Sequence, residues 1–264
     1  MKNLKVFITV VCLAIAGLLF AAFGRANQPV VTAADDKGFA VVELFTSEGC
    51  SSCPPADELL ACVQKENMGK PVYILAYHVD YWNRLGWKDV FSSADFSKRQ
   101  SAYANWLHLS GVYTPQAIVN GHTEFVGSAQ GTLRNAIRTG LEKAPNVQIS
   151  LSGLAAIKNK ATVKYTIEGE ASNATLVLAL VQKDATSVVK SGENGGRTLS
   201  HIQIVSKLQN IPLGKKKTGE ATIELPPNFT AQGYEVIGFV QSAQTGVITA
   251  ATNTAFPQMV TASN

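Results

Sequence analysis

The sequence predicts an α/β domain followed by an all-β domain of the β-sandwich type. Two short apolar runs rich in β-branched residues, Phe39–Phe45 and Val72–Val79, alternate with segments of helical period, the pattern of an open α/β sheet. Asn120-Gly121 between two strand-like runs is a hairpin signal, because both residues tolerate the positive φ of a type I′ turn. From about Asn146 the helical period is lost and short β-rich runs take over, as in an antiparallel sandwich. The 264 residues, 46% hydrophobic and 16% charged, suffice for two packed cores.

The chain opens with Lys2 and Lys5, an uncharged apolar run from Val6 to Phe23, and the small-x-small site Gly24-Arg25-Ala26. This is the pattern of an export signal peptide over residues 1–26. The alternative is an uncleaved membrane anchor, since the run is close to the roughly 18 residues that span a bilayer. In both cases the basic start stays inside and the remainder is exported, to the periplasm or beyond. Residues 27–37 read as a polar linker.

The α/β domain is expected over residues 38–145. Its first strand, Phe39–Phe45, is interrupted only by Glu43 and runs into Cys50-Ser51-Ser52-Cys53-Pro54-Pro55. Proline suits only the first turn of a helix, so the helix starts here with Cys53 as N-cap, carries Leu59, Leu60 and Val63 on its apolar face, and ends near Gly69. The second strand delivers His78, Asp80 and Trp82 at its carboxyl end, where sites in open sheets are built. A helix capped by Ser92 or Ser93 runs to about Leu109, with Phe96, Tyr103, Trp106 and Leu107 inward. Thr114–Val119 and Thr123–Val126 form the hairpin, and Ser128 caps a last helix to about Leu141. In the all-β domain, residues 146–258, strands are expected at Val147–Leu154, Ala161–Ile167, Thr175–Val181, Ala221–Leu225, Tyr234–Val240 and Val247–Thr252. Residues 259–264 form a tail.

Strand, Cys-x-x-Cys, helix, strand, helix, strand preceded by Pro, hairpin, strand, helix is the thioredoxin order, and in that fold the proline faces the cysteine pair as a cis residue. A thiol at a helix start meets unpaired N–H groups and the positive end of the helix dipole, which favours its thiolate. Cys50 is therefore the candidate nucleophile, expected to be the more exposed cysteine, with Cys53 as the resolving thiol. Glu43 is a candidate acceptor of the resolving thiol's proton, or a strand-end carboxylate paired with a lysine. Thr114 and Pro115 would shape a substrate groove, in which the backbone of Thr114 pairs with an extended peptide, and Trp82 with Trp87 would wall it. Cys62 lies nine residues past Cys53, about 13 Å along a helix and half a turn round it. A disulfide to Cys53 is excluded on that geometry, and Cys62 reads as a small core residue.

Removing the leader's three basic residues from the 23 of the whole chain leaves 20 against 19 acidic ones. A near-neutral protein lacks the basic excess of nucleic-acid binders. No second cysteine pair is present for a zinc ribbon. Cys50, Cys53 and His78 do offer a soft and imidazole donor set, so a copper or zinc metallochaperone is the alternative to redox chemistry with no cofactor beyond the disulfide. The third possibility is an envelope binding module in which the disulfide is only a clip. Arg197 and His201 flank a Gly-rich turn and read as turn decoration.

Five strings carry a resemblance to a known family: Val42–Asp57 around the cysteines, His78–Trp82, Leu85–Asp89, Tyr113–Gln116 and Gly192–His201. Through them nearly the whole exported chain resembles the secreted bacterial family designated domain of unknown function 1223, within the thioredoxin-like superfamily. The family has no activity to transfer. The superfamily implies thiol–disulfide exchange with exported protein thiols or small-molecule thiols, and an unidentified redox partner. Glu48-Gly49 before Cys50 and two prolines after Cys53 depart from the ordinary thioredoxin pattern. A carboxylate beside Cys50 would oppose its thiolate, giving a weaker or slower pair.

Overall fold

The computed structural model describes residues 38–257. The leader, the linker and the tail lie outside the described residues. The elements in order are β1 (Ala40–Thr46), α1 (Pro54–Glu66), β2 (Val72–His78), α2 (Ala94–Trp106), β3 (Gln116–Val119), β4 (Thr123–Val126), α3 (Gln130–Glu142), β5 (Gln148–Ile157), β6 (Lys160–Glu168), β7 (Ala174–Val188), β8 (Thr198–Pro212), β9 (Thr218–Glu224), β10 (Tyr234–Ser242) and β11 (Ile248–Ala255). A 3₁₀ turn at Asn83–Leu85 interrupts the link from β2 to α2.

These strands build a mixed eight-stranded sheet, ordered β11-β10-β7-β8-β2-β1-β3-β4, and a three-stranded sheet, β5-β6-β9. In the first half β1 pairs in parallel with β2 and antiparallel with β3, and β3 pairs antiparallel with β4. The change of composition near residue 146 is not a break in this sheet. Strand β8 docks in parallel on β2, with Ala76 opposite Ile204. The core follows the same continuity: Phe45, Tyr77, Phe96 and Tyr103 share one apolar cluster with Val177, Val181, Val205, Ile237 and Phe239. On the other face, α1 and α3 cover β1, β2 and β3, and the three-stranded sheet covers β7 and β10.

Local chemistry explains most boundaries. Cys53 is the N-cap of α1 and prolines fill its first turn, where the missing N–H costs nothing. Ser93 caps α2, its side chain accepting from the Asp95 N–H. Asn120 and Gly121 both take positive φ, 50° and 73°, and the His122 N–H closes the turn onto the Val119 carbonyl. Ser128 does not cap α3: its N-cap is Ala129, with no side-chain hydrogen bond. Cys62 is on α1 but exposed rather than in the core. Strand β8 was not expected at all. Among its inward positions Leu199, His201, Gln203 and Val205 alternate as a strand should, but two of the four are polar and hide the pattern. No helix among the described residues is long and apolar enough to cross a membrane.

Candidate functional site

The Cys50–Cys53 pair is closed as a disulfide, with the Cα atoms 5.4 Å apart. It sits between the carboxyl end of β1 and the first turn of α1. The Cys50 sulfur lies 3.3 Å from the Ser52 hydroxyl and 3.8 Å from the Thr114 carbonyl. The Thr114–Pro115 peptide bond is cis. The Trp82 indole donates to the Thr114 hydroxyl at 2.8 Å. Trp82 also crowds Gly49, where a β-carbon would stand 3.2 Å from the Trp82 Cβ. The structure thus brings Cys50, Cys53, Thr114, Pro115 and Trp82 together.

Cys50 is not the exposed member of the pair. Both cysteines are fully buried, whereas Ser51 and Ser52 are exposed. The cover is the loop between β7 and β8. Its buried Asn194 donates both to the Glu48 carbonyl, at 2.8 Å, and to the Cys50 carbonyl, at 2.9 Å. Glu193 places a carboxylate oxygen 2.9 Å from the Ser51 N–H, an anion near a helix start, where the dipole favours it. Arg197 donates to the Asn194 side-chain oxygen, and Ser191 to the Gly86 carbonyl. Gly192 has φ of 76° and packs on Trp87, a conformation that other residues rarely adopt. Arg197 is therefore part of the cover, not turn decoration.

Glu43 is elsewhere. It shares a face of β1 with Val41 and Phe45, whereas α1 packs on Val42 and Leu44. There it forms an ion pair with Arg99 at 2.6 Å, both side chains buried, and accepts a short hydrogen bond from the Tyr103 hydroxyl. Arg99 also donates to Gln241 and lies over the rings of Tyr77, Tyr103 and Phe239.

A different set of ionisable groups surrounds the cysteines. The Glu48 carboxylate accepts from the Trp87 indole at 2.7 Å and lies 3.3 Å from His201 Nε2, so both of its oxygens are engaged. Asp57 takes the Thr46 hydroxyl at 3.2 Å and stands 3.8 Å from His201 Nδ1. His78 Nδ1 is 2.7 Å from Asp89, which also accepts the N–H groups of Glu48 and Phe91. Burial opposes the charged form of His78, but Asp89, Asp57 and Glu48 together hold its pKa above the ordinary value. Burial likewise opposes ionisation of Asp89, yet His78 and the two backbone donors hold its carboxyl below the usual value. Burial pushes Asp57 up from 3.8 to about 6.

The Asp57 value carries a stability prediction. A raised acid contributes stability that is full below its ordinary value of 3.8 and is lost as pH rises through about 6,. D57N is expected to be more stable than wild type at pH 8, by an amount of order 1–3 kcal/mol, with about half of that gap left at pH 5. Denaturant unfolding at the two pH values measures it; a gap of equal size at both would show that the substitution acts through packing instead.

Of the groups described here, Asp57, Asp89, Glu193 and Asn194 were not singled out from spacing or chemistry, and His201, expected as turn decoration, is instead buried in β8; all five stand inside the strings that carry the resemblance. Residues 41–241 match the family described as "Protein of unknown function (DUF1223)". The chain belongs to the DUF1223 family. The crystal structure of protein AGR_C_4864 from Agrobacterium tumefaciens is similar to this DUF1223 chain, with 29% identity and a TM-score of 0.62, over 89% of this chain and 100% of that one. A domain of the outer membrane lipoprotein Omp28 from Porphyromonas gingivalis matches 42% of this chain and 88% of its own at 14% identity, with a TM-score of only 0.27. No curated protein matches.

Proposed function

We propose that this DUF1223 chain is an exported thiol–disulfide oxidoreductase. In this reading residues 38–145 form a thioredoxin-like domain and residues 146–258 a β-sandwich domain whose larger sheet continues that of the first through the pairing of β8 with β2. The observation that carries the proposal is the Cys50–Cys53 disulfide at the start of α1, with the carbonyl before a cis proline 3.8 Å from the Cys50 sulfur. The strand order β2-β1-β3-β4, with β1 parallel to β2, supports the thioredoxin-like assignment. The leader pattern of residues 1–26 supports export.

The reaction is a two-step exchange. The Cys50 thiolate attacks a substrate disulfide, forming a mixed disulfide and expelling one substrate thiolate. The Cys53 thiolate then attacks the Cys50 sulfur, closing the Cys50–Cys53 bond and expelling the second. Two electrons pass from the dithiol to the substrate, and the reverse sequence oxidises a substrate dithiol. Candidate substrates are exported protein thiols or small-molecule thiols.

The test is to equilibrate the protein with reduced and oxidised glutathione and to measure the Cys50–Cys53 redox state by alkylation and mass. A reversible titration is expected, unchanged in C62S because Cys62 is exposed on the far part of α1. A disulfide that withstands excess dithiol while the protein stays folded would point to a structural clip. Stoichiometric copper or zinc on the reduced form, with no exchange, would point to a metal carrier using the same thiols.

A further inference from the structure

Five ionisable side chains from separate parts of the chain are buried in one cluster beside the disulfide. Glu48 comes from the loop after β1, Asp57 from α1, His78 from the end of β2, Asp89 from the following loop and His201 from β8; none is more than 8% exposed. Among the described residues, His201 Nδ1 and His78 Nε2 have no hydrogen-bond partner. Buried polar atoms without partners are rare and costly. Here two occur within one cluster, on rings whose centroids are 4.8 Å apart, with Phe91 set against both.

The exchange reaction creates a demand that this cluster fits. Cys53 is fully buried, so its thiol cannot lose a proton directly to water when it attacks the mixed disulfide. Cys53 has helical backbone angles and the Asp57 N–H is bonded to its carbonyl. Residues four apart on a helix lie on one face, with Cβ atoms about 5–6 Å from each other. Asp57 is in turn 3.8 Å from the unpartnered His201 Nδ1. The His78–Asp89 pair is less available, because Asp89 is saturated by His78 and two backbone donors. Glu43 is on the opposite face of β1, held by Arg99.

We propose that the Asp57–His201 pair takes the proton of Cys53 as Cys53 attacks the mixed disulfide, and returns it when the disulfide is reduced. This rests on the exchange reading above. In the forward step the S–H bond of Cys53 breaks and its proton passes to the pair. The sulfur lone pair forms the bond to the Cys50 sulfur, and the Cys50–substrate S–S bond breaks with its electrons leaving on the substrate thiolate. Glu48 fixes the His201 ring through Nε2, and the His78 ring, paired with Asp89, packs against it.

The test uses the reduced protein and an aromatic chromogenic disulfide, 5,5′-dithiobis(2-nitrobenzoate). Attack by Cys50 releases one chromophore and resolution by Cys53 releases a second, so the two steps are read separately. The wild-type second phase is expected to show an inflection between pH 5 and 8 and a solvent deuterium effect in addition to those that ionisation of Cys50 itself gives the first phase. D57N and H201Q are expected to slow the second phase by at least about 10-fold, in the lower reach of general-base effects, and to abolish the inflection, while E43Q retains it. Failure of both phases in folded wild type would sink the exchange reading itself. Two normal phases without an inflection in the second, or with the inflection intact in D57N and H201Q, would overturn the proton-accepting pair alone. Because the wild-type profile is one arm, a variant that fails to fold does not shield the proposal.

Discussion

Replacing Arg99 with methionine is expected to destabilise the protein by about 3–5 kcal/mol, the cost of leaving a buried charge without its partner. Glu43 is fully buried and its carboxylate faces Arg99 and the Tyr103 hydroxyl. Removing the guanidinium strips the charge compensation and also the contacts with three aromatic rings. The double change E43Q/R99M should recover part of the loss, since it removes both charges. Chemical denaturation of the single and double variants gives the coupling directly. If R99M alone cost less than about 1 kcal/mol, in the range of exposed pairs, the Glu43–Arg99 pair between β1 and α2 would not be acting as a buried ion pair.

Asn194→Ala is expected to accelerate reduction of the Cys50–Cys53 disulfide by dithiothreitol by roughly 10- to 100-fold, because the two hydrogen bonds it loses are each worth about 0.5–1.5 kcal/mol. Both go to backbone carbonyls at the start of the cysteine loop, Glu48 and Cys50; the Cys50 carbonyl keeps the Cys53 N–H at 3.2 Å, whereas the Glu48 carbonyl loses its donor. E193Q should have a smaller effect, since its bond to the Ser51 N–H is exposed. The near-ultraviolet dichroism of both variants should match wild type. An unchanged reduction rate in N194A would mean that reagents reach Cys50 by a path that the loop does not control.

Much of the first half was legible. Proline at the start of α1, Ser93 before α2 and Asn120-Gly121 in the hairpin act through local backbone constraints, and the elements they punctuate start within a residue or two of where those constraints place them. Ser128 misled because a capping residue is recognised by type, whereas Ala129 holds that position through backbone geometry alone. The exposure of Cys50 could not be read locally: its cover comes from Asn194, 144 residues away. Glu43 was ambiguous for a related reason. Strand alternation says which residues share a face but not which helix covers it, and the covering helix turned out to carry Arg99. His201 reads as turn decoration in the sequence because β8, which buries it, is hidden where polar inward residues break the hydrophobic alternation. The signal that did exist was its place in the Gly192–His201 string.

The docking of β8 on β2, with Ala76 opposite Ile204, bears on how the protein can be divided. A fragment ending near residue 145 would leave β2 as an unpaired edge and strip Val177, Val181, Val205 and Phe239 from the cluster that contains Tyr77. Such a bare, apolar edge is a template for aggregation. Native assembly must instead close a loop of well over a hundred residues before the central strands find all their neighbours, and contacts so distant in sequence slow folding. The cysteine pair and its cover therefore belong to one cooperative unit, and excising the first half would not yield a smaller folded protein.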